Sequence, residues 1–277
     1  MGASLTLQTI LQKKVSLPTP PNVLLRLMNA VGNPDAHGDE LVKIISTDSA
    51  LTLEVIRVAN SPYYGAVRQI RSIADALLRI GFNEIMSISC AINTKDLFAS
   101  SNAGWNELNA RFWEHALRMA AAARSLSAVL NPRSSEAFFT AGLLHDCGKL
   151  ILLRAVPNYA QICKNDEVWG DALVVQERAI LGTDHADIGQ QLLEHWKLPG
   201  NLVKLVAEHH RPPQQSSVPS AIGLLALADQ IARRVSIPLA GDVEIPAEAL
   251  ADAAVREDML PGILISYQAE YQKLKTV

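Results

Sequence analysis

Apolar residues recur at steps of three and four along most of the chain, and that spacing commits it to helices. From Leu41 to Asn60 they fall at Leu41, Ile44 and Ile45, then at Leu51, Leu53, Val55 and Ile56. Asp48, just before Ser49-Ala50-Leu51, suits an N-cap, whose side-chain oxygen accepts a free N–H of the first turn, so this stretch should divide into two helices. Ser72 should cap a helix over Ile73–Ile80, with Gly81 closing it. Further helices are expected over Glu84–Ala99, Trp105–Leu130, Ser134–Arg154, Asp171–Leu181, Asp184–Trp196 and Asn201–His210. Asn131-Pro132, Leu198-Pro199-Gly200 and Pro212-Pro213 supply the stops. Pro219–Val235 is so apolar that it must be buried on most sides. Pro246 should open a helix reaching Val255, and a last one should follow the Pro261-Gly262 break, over Ile263–Lys275. Alternating strand patterns between Asn-Gly or Asp-Gly turns are absent, as are solenoid repeats. The fold class expected is all-α and multi-helical, with the small polar run Ser100–Trp105 as a hinge between two lobes.

At 277 residues, 49% hydrophobic, the chain can bury a substantial core. A net charge of -3 and 5% aromatics exclude an electrostatic footprint for nucleic acid and a stacking platform for single strands. The start, MGASLTLQTILQKKVSLP, lacks the layout of a secretory signal, and no apolar run approaches the ~18 residues that would span a bilayer. Cys90, Cys147 and Cys163 are odd in number and share no close spacing, which reads as reduced, buried thiols of a cytoplasmic protein.

The chemistry lies in the histidines. Five of the seven, His115, His145, His185, His209 and His210, sit where helices could gather them with Asp146 and Asp229. Imidazole and carboxylate are ligands for divalent transition metals, and a helical bundle can supply them from facing helices. His145 and Asp146 are adjacent, so on a regular helix they point about 100° apart. Both can bind only at an exposed turn, or if two metals share the aspartate. Asp229 lies within IGLLALADQIA, where an unpaired carboxylate is costly to bury. His37 and His195 read as ordinary surface residues, and His209-His210 could be no more than a polar helix end. Glu177 reads first as one half of a helix-surface salt bridge, with a carboxylate that orients a ligand histidine as the alternative. Arg233-Arg234 reads as the basic end of an apolar helix, and Tyr63-Tyr64 as packing against the second lobe.

Leu143-Leu144-His145-Asp146-Cys147-Gly148-Lys149-Leu150 resembles the motif of the HD superfamily of metal-dependent phosphohydrolases. Other stretches resemble the HDOD family, the HD-related output domain of bacterial signalling proteins. They are Leu17-Pro18-Thr19-Pro20-Pro21, Ile45-Ser46-Thr47-Asp48-Ser49-Ala50-Leu51-Thr52, Ala59-Asn60-Ser61-Pro62-Tyr63-Tyr64, Ile73-Ala74-Asp75-Ala76 with Ile80-Gly81, and His185-Ala186-Asp187-Ile188-Gly189 with Trp196-Lys197-Leu198-Pro199. The resemblance covers about residues 15–235.

It implies an N-terminal HDOD helical lobe (1–100), an HD-type metal-binding lobe (101–240) and a C-terminal helical extension (241–277). It implies one or two divalent ions (Fe, Mn or Zn) on His115, His145, Asp146, His185, His209, His210 and Asp229. Asp146 would bridge, with His115, His145 and Asp229 on one metal and His185, His209 and His210 on the other. Lys149 matches a lysine placed near substrate phosphate, and Lys149 or Arg111 would balance charge on the phosphoryl oxygens. Two departures stand out. Arg111 occupies the place of a glutamate that helps hold a third metal in some HD-GYP relatives, and RPPQQSS follows His210 instead of the Gly-Tyr-Pro loop, which counts against cyclic-di-GMP hydrolysis. The implied function is a metal-dependent phosphohydrolase acting on a phosphate ester or nucleotide in signalling. The alternative is a non-catalytic signalling module that binds a protein partner and keeps any metals for structure. Neither nucleic acid nor membrane is an expected partner.

Overall fold

The structure, a computed structural model, describes residues 5–12, 15, 20, 22–31, 37–65, 68–99, 102–163, 170–211, 219–235 and 245–277. The helices are α1 (Leu7–Gln12), α2 (Asn22–Val31), α3 (Gly38–Ser46), α4 (Ser49–Ala59), α5 (Ile73–Ile80), α6 (Phe82–Phe98), α7 (Asn106–Leu130), α8 (Ser135–Leu144), α9 (Cys147–Ala155), α10 (Tyr159–Cys163), α11 (Asp171–Leu181), α12 (His185–His195), α13 (Gly200–Glu208), α14 (Pro219–Arg234), α15 (Ala247–Asp252) and α16 (Leu260–Leu274). No strand occurs among the described residues, so the all-α expectation holds. No helix among them is long and apolar enough to cross a membrane. All three cysteines are buried, and none is in a disulfide among the described residues.

The caps fall where the sequence places them. Asp48 accepts the Leu51 N–H at 3.0 Å and separates α3 from α4. Ser72 accepts the Asp75 N–H at 3.0 Å, and α5 ends at Gly81, whose φ of +90° favours glycine. Several boundaries differ from expectation. The helix expected over Ser134–Arg154 is broken at His145-Asp146, where the backbone turns at Asp146 (φ -99°, ψ 10°). Pro261 lies inside the first turn of α16 and does not stop it, because a first-turn residue has no intrahelical N–H partner to lose. Helix α15 begins after Pro246 and ends at Asp252, before Ala254 turns to φ +57°. The short helices α1 and α10, and α2, were not expected. Leu17–Thr19, Pro21, Ser100, Ser101 and Pro212–Ser217 lie outside the described residues.

Two helices organise the core. Helix α6 packs against α2 and α4 on one side and against α7 and α8 on the other, and most of its side chains are buried. Helix α7 packs against α8, α14 and α16, with Ala120–Ala123 fully buried. These alanines allow a close crossing: a methyl added at Gly142 of α8 would sit 2.7 Å from the Ala120 Cα. At one edge of the α6–α7 junction, Glu84 faces Arg124 (3.4 Å) and Lys273 (3.0 Å), and Arg124 also pairs with Glu136 (2.8 Å). Tyr64 donates to Glu84 at 2.6 Å, whereas Tyr63 is half-exposed, with the Lys273 ammonium 5.7 Å from its ring centre.

Helices α9 and α12 meet at Gly148. A methyl there would collide with the His185 carbonyl oxygen and lie 2.7 Å from the Gly189 nitrogen, both of them backbone atoms that cannot move aside cheaply. Gly148→Ala should therefore destabilise the protein by about 3 kcal/mol or more, while Gly200→Ala, with nothing within 4 Å, should shift it by under about 1 kcal/mol. Urea unfolding of both variants checks this, and equal midpoints would contradict it.

Candidate metal centre

His115 comes from the middle of α7 and Asp229 from α14, which packs along it; His115 Nε2 lies 3.2 Å from Asp229 Oδ1. The turn between α8 and α9 buries His145 and Asp146 side by side, with His145 Nε2 3.2 Å from Asp146 Oδ2. The turn answers the geometric objection to adjacent ligands, although it is buried and not exposed. His185 is the first residue of α12, a start fixed by Asp184, which accepts the Asp187 N–H at 2.9 Å. His209 and His210 follow the end of α13 at Glu208.

The donor atoms fall into two groups: Asp146 with His185, His209 and His210, and His115 with His145 and Asp229. Within each group the ligand atoms lie within 4.8 Å of one another. Asp146 spans the two. Its Oδ1 lies 3.2 Å from His185 Nε2 and 3.9 Å from His209 Nε2, while its Oδ2 lies 3.2 Å from His145 Nε2 and 3.9 Å from His115 Nε2. All seven residues expected to ligate a metal thus converge, in the division expected above. His37 and His195 are exposed, away from the site.

What points the imidazoles inward is the partner on each outer nitrogen. Nδ1 of His145 bonds the Gly142 carbonyl (2.8 Å), Nδ1 of His209 the Val206 carbonyl (2.7 Å), Nδ1 of His185 Glu177 Oε2 (2.7 Å) and Nδ1 of His210 Asp171 Oδ1 (2.9 Å). An imidazole that donates through Nδ1 presents Nε2 as the ligand atom, and such outer partners are the usual companions of metal-bound histidine. His209 Nε2 is buried and has no hydrogen-bond partner, a cost of about 1–3 kcal/mol for a structural side chain. A set of imidazole nitrogens and carboxylate oxygens, with one buried nitrogen left bare, fits a divalent transition metal.

Electrostatics act in the same direction. Burial opposes ionisation of Asp146, yet His145 and Lys149 hold it well below the usual carboxylate range. Burial opposes it at Asp229 too, and the hydrogen bond with His115 and the Arg233 charge overcome it. Burial and the neighbouring imidazoles keep His209 neutral. His185 differs: burial disfavours its cation, but Glu177 and the Asp146 hydrogen bond outweigh this and push it up to about 9. Its Nε2 proton must leave before that nitrogen can ligate. Lys149 is buried with its ammonium 2.6 Å from Asp146 Oδ2, so it is committed to the carboxylate between the two groups.

Glu177 takes the second of its two sequence readings, the carboxylate that orients a histidine, and not the surface salt bridge. It is fully buried, accepts from the backbone N–H of His185 (2.9 Å) and its Nδ1, and takes the Tyr159 hydroxyl hydrogen bond as well. A signal was present: Glu177 falls three and four residues after the buried Val174 and Leu173, on the apolar stripe of α11. Arg233 is likewise more than a basic helix end, since its Nη2 lies 2.6 Å from Asp229 Oδ2. Asp171, which holds His210, had no sequence signal beyond its place at a helix start.

Residues 17–212 match the model of the HDOD domain. The chain belongs to the HDOD family. This HDOD protein is 25% identical to the "Putative phosphohydrolase" of Shewanella amazonensis SB2B, whose crystal structure superposes with a TM-score of 0.74 over 96% of this chain and 97% of that one. The HDOD domain protein of unknown function from Geobacter sulfurreducens shares the fold at 21% identity and a TM-score of 0.68, covering 94% of this chain and 96% of that one. An uncharacterized protein of Treponema pallidum (strain Nichols) is 25% identical over 201 residues, 71% of this chain and 38% of that protein, so the chain spans well under half of that relative's length.

The Glu177–His185 contact sets a pH dependence in the chelator-treated HDOD protein. A raised folded pKa means that the stabilisation is fully present below His185's ordinary value near 6.5 and is lost as the pH rises through about 9. An NMR titration should find His185 protonated at pH 7.5, and Glu177→Gln should lower its midpoint by more than about one unit. A wild-type midpoint at or below 6.5 would contradict the assignment.

Proposed function

We propose that this protein is a metal-dependent phosphohydrolase whose His/Asp centre takes one or two divalent ions of the Fe, Mn or Zn type. The observation that carries the reading is the convergence of imidazole Nε2 atoms on the carboxylate of Asp146, with four outer nitrogens anchored elsewhere. His145, His115 and Asp229 would hold one ion, His185, His209 and His210 the other, with Asp146 shared. Bound there, such an ion supplies Lewis acidity toward water and phosphoryl oxygen at neutral pH.

The chain's own residues supply the rest. Lys149 fixes one oxygen of Asp146, so the carboxylate keeps its orientation between the two groups. Glu177 and Asp171 hold the rings of His185 and His210 and accept their outer protons. Arg233 fixes one oxygen of Asp229 and leaves the other facing His115. The substrate class we propose is a phosphate ester of a small molecule or nucleotide, with a role in signalling as the family resemblance suggests.

Metal analysis of the purified full-length chain tests this beside a His145→Ala, Asp146→Ala variant. The wild type should carry about one or two ions per chain and the variant almost none. Turnover of p-nitrophenyl phosphate and of nucleotides should fall by about a hundredfold or more in Asp146→Asn. Near-zero metal in both proteins would end the proposal, and metal without turnover on any phosphate ester would leave the non-catalytic signalling module.

A further inference from the structure

The mouth of the centre can be located from exposure. His145, Asp146, His185 and His209 side chains are at most 2% exposed, whereas His115 and Asp229 are each 8% exposed and His210 9%. The centre is therefore least covered along its His115–Asp229–His210 edge. Lys149 is not on that edge, being 2% exposed and bound to Asp146.

Two arginines are. Arg233 follows Asp229 by four residues on α14, is 29% exposed along its side chain, and reaches back to Asp229 Oδ2 at 2.6 Å. The backbone makes room for it. Gly170 stands at φ +66°, and a methyl there would lie 2.7 Å from the guanidinium carbon of Arg233. Arg111 precedes His115 by four residues on α7 and shares its face, half-buried. Helices α7 and α14 run antiparallel: Leu130, at the end of α7, lines a surface pocket with Ser220 and Leu224 near the start of α14, while His115 meets Asp229 further along. One step N-terminal on α7 and one step C-terminal on α14 therefore lead to the same end of the pair. Arg111 and Arg233 are each set about 6 Å along the helix axis from the His115–Asp229 contact, on the same end.

We propose that Arg111 and Arg233 form a two-guanidinium subsite at the mouth, which takes the phosphate group of the substrate and selects ligands with a free, doubly charged phosphate over internal phosphodiesters. Guanidinium is the side chain whose fork of donors matches phosphate oxygens, and a dianion gains from two such groups what a monoanionic diester gains less of. The proposal rests on the phosphohydrolase reading for its chemistry, but the subsite itself is a matter of binding.

The test is the binding of inorganic phosphate, and then of methyl phosphate and dimethyl phosphate, to the full chain by calorimetry, with metal content measured on every sample. Arg111→Gln replaces no proposed ligand and should weaken phosphate binding by about tenfold with metal content unchanged. Arg233→Gln should weaken it at least as much, and Arg233→Lys, which can still reach Asp229, separates lost phosphate contact from a displaced Asp229. With Arg233→Lys, metal content should stay at the wild-type level while phosphate affinity falls. Methyl phosphate should bind like phosphate, and dimethyl phosphate at least tenfold more weakly. Phosphate affinity within twofold of wild type in the double variant Arg111→Gln, Arg233→Gln would overturn the subsite, as would a metal-loaded wild type that binds no phosphate at millimolar concentration. A wild type without metal that still binds phosphate through these arginines would uphold the subsite while overturning the metal centre.

Discussion

Asp146 is the carboxylate on which the rest of this arrangement depends. It is 1% exposed and ionised, a state that costs several kcal/mol in a protein interior unless partners surround it. The partners come from three directions: Lys149 one turn later on α9, His145 beside it, and His185 on α12. To put Asp146 there, the chain breaks a helix in two at its own apolar core and lets α9 approach α12 so closely that only glycine fits at position 148. The local structure, the packing and the site are thus one constraint seen at three scales.

Around that carboxylate the protein builds a polar interior whose members hold one another. The chain Tyr159–Glu177–His185–Asp146–Lys149 crosses α10, α11, α12 and α9, and each member is buried. Such a network is stable only when nearly all of its groups are satisfied. The groups left over lie at the centre itself: Asp146 Oδ1 and the bare nitrogen of His209, which is surrounded by other imidazoles and kept neutral by them. A neutral nitrogen with no protein partner, at the centre of such a site, is a ligand atom in waiting.

The fold was legible where a single local signal decides the backbone. Asp48 and Ser72 carry their caps in the sequence, and the helices they start appear at the expected residues. The ligand set was legible through its motif, because adjacent His145-Asp146 and paired His209-His210 are unusual in a helical core. The break at His145-Asp146 was legible only as one of two options, since the apolar period runs on from Ser134 to Arg154 and the turn is imposed by what the two side chains must meet. Glu177 and Arg233 were undervalued for a related reason. Each looks like a surface charge in the sequence, and the local traces, Arg233 one turn after Asp229 and Glu177 on the apolar stripe of α11, become decisive only when the fold buries their partners. Asp171 is 85% exposed along its side chain and would be read as a helix-start acid in any sequence; only the fold places His210 on it.

X-ray absorption at the metal edge of the purified protein tests the central claim most directly, because it reports the atoms that surround the ion. The account predicts a first shell of nitrogen and oxygen alone, with the outer-shell scattering of several imidazoles and no sulfur. A sulfur scatterer, or an ion surrounded by water with no imidazole behind it, would contradict the assignment of these histidines and of Asp146.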